Sequence, residues 1–182
     1  MRFRELALKG VYSIELHVIE DQRGGFARTY CKNEFKKIGF EKDFVQFNHS
    51  WNRHKGTIRG MHYQIHPFKE FKLIRCVSGA VHDVLIDLRR GSETFLKSIS
   101  ILLSAQNKNM LLIPEGLAHG FQTLEDETQL LYHHTEYYSP GFEGGLNFSD
   151  PSLNLSWPVP VTVVSDRDRS HKFLDNTFKG LE

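Results

Sequence analysis

Arg59-Gly60-Met61-His62-Tyr63-Gln64 is the stretch whose reading decides the fold. It follows a turn at Lys55-Gly56 and opens a strand-like run. A strand sends successive side chains to opposite faces, so Met61 and Tyr63 share one side while His62 and Gln64 share the other. If the His62 face points inward, the strand lines a polar cavity. If it points outward, His62 is simply solvated. These six residues alone leave both readings open.

The flanking sequence continues in the same style. Strand patterns run over Val11–Ile19, Phe26–Tyr30, Phe44–Ser50, Thr57–Ile65, Lys72–Val77, Ala80–Leu88, Phe95–Leu103, Met110–Ile113, Gly120–Leu124, Gln129–Tyr137 and Val161–Val164. Asp21-Gln22-Arg23-Gly24-Gly25, Ser78-Gly79, Arg90-Gly91-Ser92 and Glu125-Asp126 punctuate them as turns. Only two short helices are predicted. One covers Glu34–Lys37, capped by Asn33 and stopped by Gly39; the other lies within Ser165–Leu174. Many short strands at such spacing predict a mainly β chain, a sandwich or barrel, and one domain over residues 1–182.

Composition narrows the function. A net charge of +1 on 182 residues offers no broad field for nucleic acid or an anionic membrane. No apolar run approaches spanning length and the N-terminus has no signal-type apolar core, so a cytoplasmic protein is expected. Cys31 and Cys76 form neither a CxxC pair nor a disulfide framework.

The second chemical signal is Ile113-Pro114-Glu115-Gly116-Leu117-Ala118-His119-Gly120-Phe121. Its Pro-x-Gly-x-x-His run resembles the second half-motif of the cupin superfamily, whose fold is a double-stranded β-helix or jelly-roll barrel. The first half-motif of that superfamily supplies a pair of metal-binding histidines two residues apart. Here the pair is His62 and Gln64, and an amide is a poor ligand for a transition metal. Glu70 lies at the wrong spacing to restore the set. A cupin frame without its metal site is the expectation.

The remaining motifs sharpen the resemblance. RGMHYQ is followed by Lys72-Leu73-Ile74-Arg75, Gly79, Val81-His82-Asp83-Val84, Asp87-Leu88-Arg89 and the IPEGLAHGF run. Then come Tyr137-Tyr138-Ser139-Pro140, Asp150-Pro151, Trp157-Pro158 and Ser165-x-x-Asp168. This ordered series, spanning about Gly10 to Asp175, resembles the dTDP-4-dehydrorhamnose 3,5-epimerase family of the dTDP-L-rhamnose pathway, which feeds cell-surface polysaccharide synthesis.

The resemblance implies cofactor-free epimerisation of a nucleotide-linked 4-keto-6-deoxyhexose at C3, C5 or both. Hydrogens on those carbons are acidic because they flank a ketone. Inversion needs a base on one face, an acid on the other and a donor near the ketone oxygen. By position, His62 matches the base, Asp168 the carboxylate that orients it, Tyr132 the proton donor and Lys72 the group at the enolate oxygen. Arg23, Arg59 and Arg167 match phosphate contacts, and Gln46, Asn48 and His119 sugar or phosphate contacts. Phe26 matches a ring against the base or sugar, and Glu143 a further ligand contact. The family's N-terminal strand reaches into a partner's site, which implies a homodimer. Asp83, in an apolar run, is placed to support Lys72 or His62. Two departures stand out: Arg28 replaces a usual glutamate, and Arg167 replaces a usual lysine.

Without the resemblance, Tyr132 reads more often as strand packing, Lys72 as a surface lysine and Asp168 as a helix cap or surface carboxylate. Two other classes stay open. One is a metal-dependent cupin built on His62, His119 and Glu70. The other is a nucleotide-sugar binding module without catalysis. Single-position epimerases and epimerases of other nucleotide-sugars share the architecture.

Overall fold

The computed structural model describes residues 1–182. The chain opens with strands β1 (Arg2–Glu5), β2 (Tyr12–Glu15), β3 (Val18–Asp21) and β4 (Gly24–Ala27), followed by helix α1 (Lys32–Phe35). The body comprises β5 (Gln46–Asn52), β6 (Thr57–Gln64), β7 (Lys72–Ser78), β8 (Ala80–Asp87) and β9 (Ser98–Ser104). It continues through β10 (Met110–Ile113), β11 (Leu117–Thr123), β12 (Thr128–His134) and β13 (Glu143–Gly145). It closes with β14 (Val163–Val164) and helix α2 (Asp166–Ser170). No helix is long and apolar enough to cross a membrane.

Two sheets form the expected jelly roll. One has the order β1-β2-β10-β7-β12-β5; the other runs β13-β6-β11-β8-β9, with β14 parallel to β6. The hairpin β3–β4 stands apart as its own two-stranded sheet. The inward faces of the two sheets supply one buried cluster that includes Ile74, Cys76, Val81, Leu85, Leu111, Phe121 and Leu130. Each such side chain contributes on the order of 1.5–3 kcal/mol by leaving water. The outward faces are covered too. Phe35 and Phe40 pack over Leu73, Met110 and Leu112, and Leu146 and Leu153 pack with Met61, Val84, Ile86 and Ala118. Double coverage explains why β8 and β10 read as apolar runs rather than strict alternation. Burial and nearby carboxylates push the Cys76 thiol up to about 11, so it is inert packing.

Several sequence boundaries move. The expected strand Val11–Ile19 is two strands, because residues 12–15 pair with β1 and β10 while residues 18–21 pair only with β4. Phe26–Tyr30 shifts to Gly24–Ala27, which leaves Gln22-Arg23 as the hairpin tip. Asn33 is not the helix cap. The cap position is Cys31, whose carbonyl accepts from Glu34 N and Phe35 N and turns Phe35 into the core. Gly39 does end that segment, at φ +77°. Strand β9 starts at Ser98 rather than Phe95, since Ser92 and Thr94 hydroxyls bend the preceding loop onto the buried Asp87 carboxylate at 2.6 Å each. The short strands β1 and β13 have too few residues for a pattern and escaped the sequence reading.

Candidate active site

Polar side chains collect at one end between the sheets. The pleat turns Asn48 and Ser50 of β5, His62 of β6, Lys72 of β7, His119 of β11 and Tyr132 and His134 of β12 into a common cavity of about 550 Å³. Asp168 and Arg167, from α2, and Arg59 complete its wall. A recess of about 180 Å³ adjoins it and adds Gln46, Gln64, Glu70, Tyr138 and Glu143.

His62 is braced. Its Nε2 lies 2.7 Å from Asp168 Oδ1, and Asp168 Oδ2 accepts from Gly60 N at 3.1 Å. Ser165 Oγ caps α2 by accepting from Asp168 N, which fixes where this side chain starts. Burial pushes the Asp168 carboxyl up, but the His62 and Gly60 hydrogen bonds outweigh it and hold it below the usual range. An ionised carboxylate only accepts, so His62 Nε2 donates and Nδ1 is left as the basic nitrogen. The backbone beside it is equally constrained. Gly60 has φ +118°, and a Cβ there would lie 2.5 Å from Gly120 Cα. The two glycines let β6 and β11 meet where the register shifts between His119 and Phe121.

Tyr132 comes from the opposing sheet. Its hydroxyl lies 3.2 Å from Ser50 Oγ. Burial raises its pKa well above the ordinary phenol value, so it stays protonated. Lys72 lies on the same sheet, with Nζ 3.3 Å from Glu70 Oε1. Arg59 donates through Nε to Asn52 Oδ1 at 2.6 Å and reaches Trp51 O at 3.3 Å. Arg167 pairs with Glu143, and that bond raises the guanidinium.

Asp83 supports neither Lys72 nor His62 by a direct bond. Its Oδ2 is 2.8 Å from His119 Nε2, because positions 83 and 119 face inward on adjacent strands. Gln64 is tied to backbone instead, donating to Phe68 O at 2.9 Å and accepting from Ser139 N at 3.1 Å. Glu70 is occupied by Lys72 and His134. The donors of a cupin-type metal set, His62, His119 and Glu70, are therefore each committed to a different partner. A closer trio, His62, Asp168 and His171, has ligand atoms within 4.8 Å of one another, yet its first two members are already hydrogen-bonded together.

Arg23 and Phe26 do not reach this cavity. Both sit on the β3–β4 hairpin, where Phe26 is 72% exposed and Arg23 pairs with Asp21. Arg28 pairs with Glu34 at 3.1 Å, away from the cavity. The sequence reading passed over His134 and Ser50 entirely. Their signal was present, since both alternate in phase with Tyr132 or Asn48.

The sequence family described as dTDP-4-dehydrorhamnose 3,5-epimerase matches residues 5–176. A Shigella flexneri protein of that name is 44% identical over 167 residues, covering 91% of this chain and 92% of that protein. The Bacillus anthracis crystal structure of that name, with TDP and PPi bound, superposes with TM-score 0.92 at 38% identity and covers 95% and 99% of the two chains. A Legionella pneumophila dTDP-6-deoxy-D-glucose-3,5-epimerase in complex with dTDP-4-keto-L-rhamnose gives TM-score 0.91 at 32% identity over 100% and 98%.

Proposed function

The chain belongs to the dTDP-4-dehydrorhamnose 3,5-epimerase family, and on that premise we propose that it inverts C3 and C5 of a dTDP-linked 4-keto-6-deoxyhexose. The observation that carries this reading is a braced histidine facing a protonated phenol across one cavity, from opposite sheets. His62 Nδ1 removes the proton from the carbon beside the ketone. The C–H electron pair moves into the ring and the ketone oxygen becomes an enolate oxygen. Asp168 steadies the imidazolium so formed. The Lys72 ammonium stabilises the enolate oxygen. Tyr132 returns a proton to the opposite face, and the carbon is inverted. A phenol with a raised pKa is a fair match for an enolate, whose conjugate acid is itself weak. Each inversion leaves His62 protonated and Tyr132 a phenolate, and proton exchange with solvent resets both before the second carbon reacts; with no redox step, this chemistry calls on no cofactor.

The nucleotide falls to Arg59, Arg167 and His119, with Gln46, Asn48 and Glu143 along the recess. Guanidinium forks suit a diphosphate. Bound TDP in the Bacillus anthracis relative and bound dTDP-sugar in the Legionella pneumophila relative support that class of ligand.

A homodimer fits the surface. Phe47 and Trp51 project from the outer face of β5 at 69% and 61% exposed, and Ile19 and Phe26 project from the hairpin. Arg23 and Phe26, off their own cavity, are then free to serve the neighbour's. Sedimentation of a monomer at working concentration, with full turnover, would refute this.

Incubation with dTDP-4-keto-6-deoxyglucose in deuterated buffer tests the chemistry. Two deuterons per sugar are expected, none in His62→Asn. A single deuteron would mark a single-position epimerase, and no exchange in the wild type would end the epimerase reading.

A further inference from the structure

Among the groups assigned to the reaction, Lys72 alone carries its charge on a flexible four-carbon stem. Here the stem is pinned. Glu70, two residues before it, places Oε1 3.3 Å from the ammonium and Oε2 2.7 Å from His134 Nδ1. The ladder sets this up, since His134 is the cross-strand partner of Lys72 on one side and of Gln46 on the other. The side chains of Lys72, Glu70 and His134 are only 13%, 9% and 10% exposed.

We propose that Glu70 and His134 form a positioning pair that holds the Lys72 ammonium at the substrate's ketone oxygen; this rests on the epimerase reading above. Gln46 Nε2 donates to Asn48 Oδ1 at 3.4 Å, and Asn48 Nδ2 lies 3.2 Å from His134 Nε2. The Asn48 amide nitrogen carries only hydrogens, so His134 Nε2 accepts. His134 is then neutral with its proton on Nδ1, and it donates to Glu70. Every donor in the row points toward Glu70. Each of that carboxylate's two oxygens takes one partner, the imidazole or the ammonium. Burial pushes the Glu70 carboxyl up, but His134 and Lys72 outweigh it and keep it ionised. The pair does not touch the reacting carbon. It restricts Lys72 to one direction and leaves other ammonium protons for the enolate. The arrangement mirrors the Asp168–His62 pair on the other sheet, with a carboxylate again orienting the working group.

The test uses the full chain and four variants: Glu70→Gln, Glu70→Asp, Lys72→Ala and Lys72→Ala combined with Glu70→Gln. Loss of the bridge is expected to lower kcat about 10- to 100-fold, the scale of a small misplacement at a reacting group. KM should stay within about three-fold, because uniform binding is untouched. Glu70→Asp keeps the charge and should recover part of the loss. The double variant should be no slower than Lys72→Ala alone, since Glu70 acts only through Lys72. A Glu70→Gln kcat within about two-fold of wild type, or losses that multiply in the double variant, would overturn the proposal. Nitrogen NMR of the histidines is a readout without turnover. His134 should show the Nδ1–H tautomer in the wild type, with its Nδ1 proton moved upfield in Glu70→Gln as the charged acceptor is lost. An Nε2–H tautomer in the wild type overturns the pairing even if the variant is too unstable to assay. Failure of the wild type to exchange deuterium would instead strike the epimerase reading, leaving the tautomer result to stand by itself.

Discussion

Replacing Asp168 by asparagine should disable the base while sparing the fold. The carboxylate has two acceptor oxygens, one for His62 Nε2 at 2.7 Å and one for Gly60 N at 3.1 Å. Asparagine offers one oxygen and one NH2. Turning the NH2 toward Gly60 would set two donors against each other, at a cost of about 1–3 kcal/mol. The oxygen therefore keeps Gly60, and the NH2 faces His62. His62 Nε2 must now accept, so its proton moves to Nδ1, the nitrogen the reaction needs free. The imidazolium also loses its counter-charge. For charge centres about 4 Å apart and an effective dielectric near 20, that attraction is roughly 4 kcal/mol, less what water recovers around a His62 side chain that is 37% exposed. Together these predict a fall in exchange rate of about 10²–10⁴-fold. The buried asparagine should lower stability by only about 1–3 kcal/mol. Deuterium wash-in at neutral pH, alongside a thermal melt, measures both. A folded Asp168→Asn within about five-fold of wild type would refute the brace.

Tyr132→Phe should still abstract protons but return them poorly, so back-exchange into substrate should outpace net product; equal product formation would contradict its role as donor. Gly60→Ala should cost stability and nearly all activity, because the added Cβ meets the β11 backbone at 2.5 Å beside His62; a soluble, fully active variant would rule out the close approach. Acid unfolding should centre on Asp87, Asp150, Asp168 and Glu70, whose carboxyls are all held below their usual values. Groups with depressed folded pKa values stabilise above the unfolded value near 4 and lose that contribution as pH falls through the folded values. Tm should therefore drop below about pH 4, and Asp87→Asn should flatten that drop while costing roughly 2–4 kcal/mol at neutral pH. Trp51→Glu combined with Phe47→Ser should shift sedimentation toward monomer, and an unchanged sedimentation coefficient would place the dimer contact elsewhere.

The strand pattern was open to reading because alternation is local. Thr57–Gln64, Lys72–Ser78 and Ala80–Asp87 each carry their two faces in their own residues, and the polar run from Ser165 marks α2, though its cap is Ser165 rather than Asp168. Where the pattern failed, the cause was a change of partner, as at Leu16-His17 between β2 and β3, or a strand of three or four residues. The site divides the same way. His62, Lys72 and Tyr132 sit in motifs of recognisable order, so they could be named from the chain.

What surrounds them could not be named. That Asp83 meets His119, that Gln64 is held by Phe68 and Ser139, and that Glu70 joins Lys72 to His134 are facts of register between strands far apart in the chain. The residues themselves determined which side chains lie on each face of each strand, because that depends only on the two-residue repeat of an extended backbone. Tertiary structure alone decided which of those side chains touch, because hydrogen-bond partners across a sheet are chosen by pairing, bulge and crossover, none of which is written in any single strand.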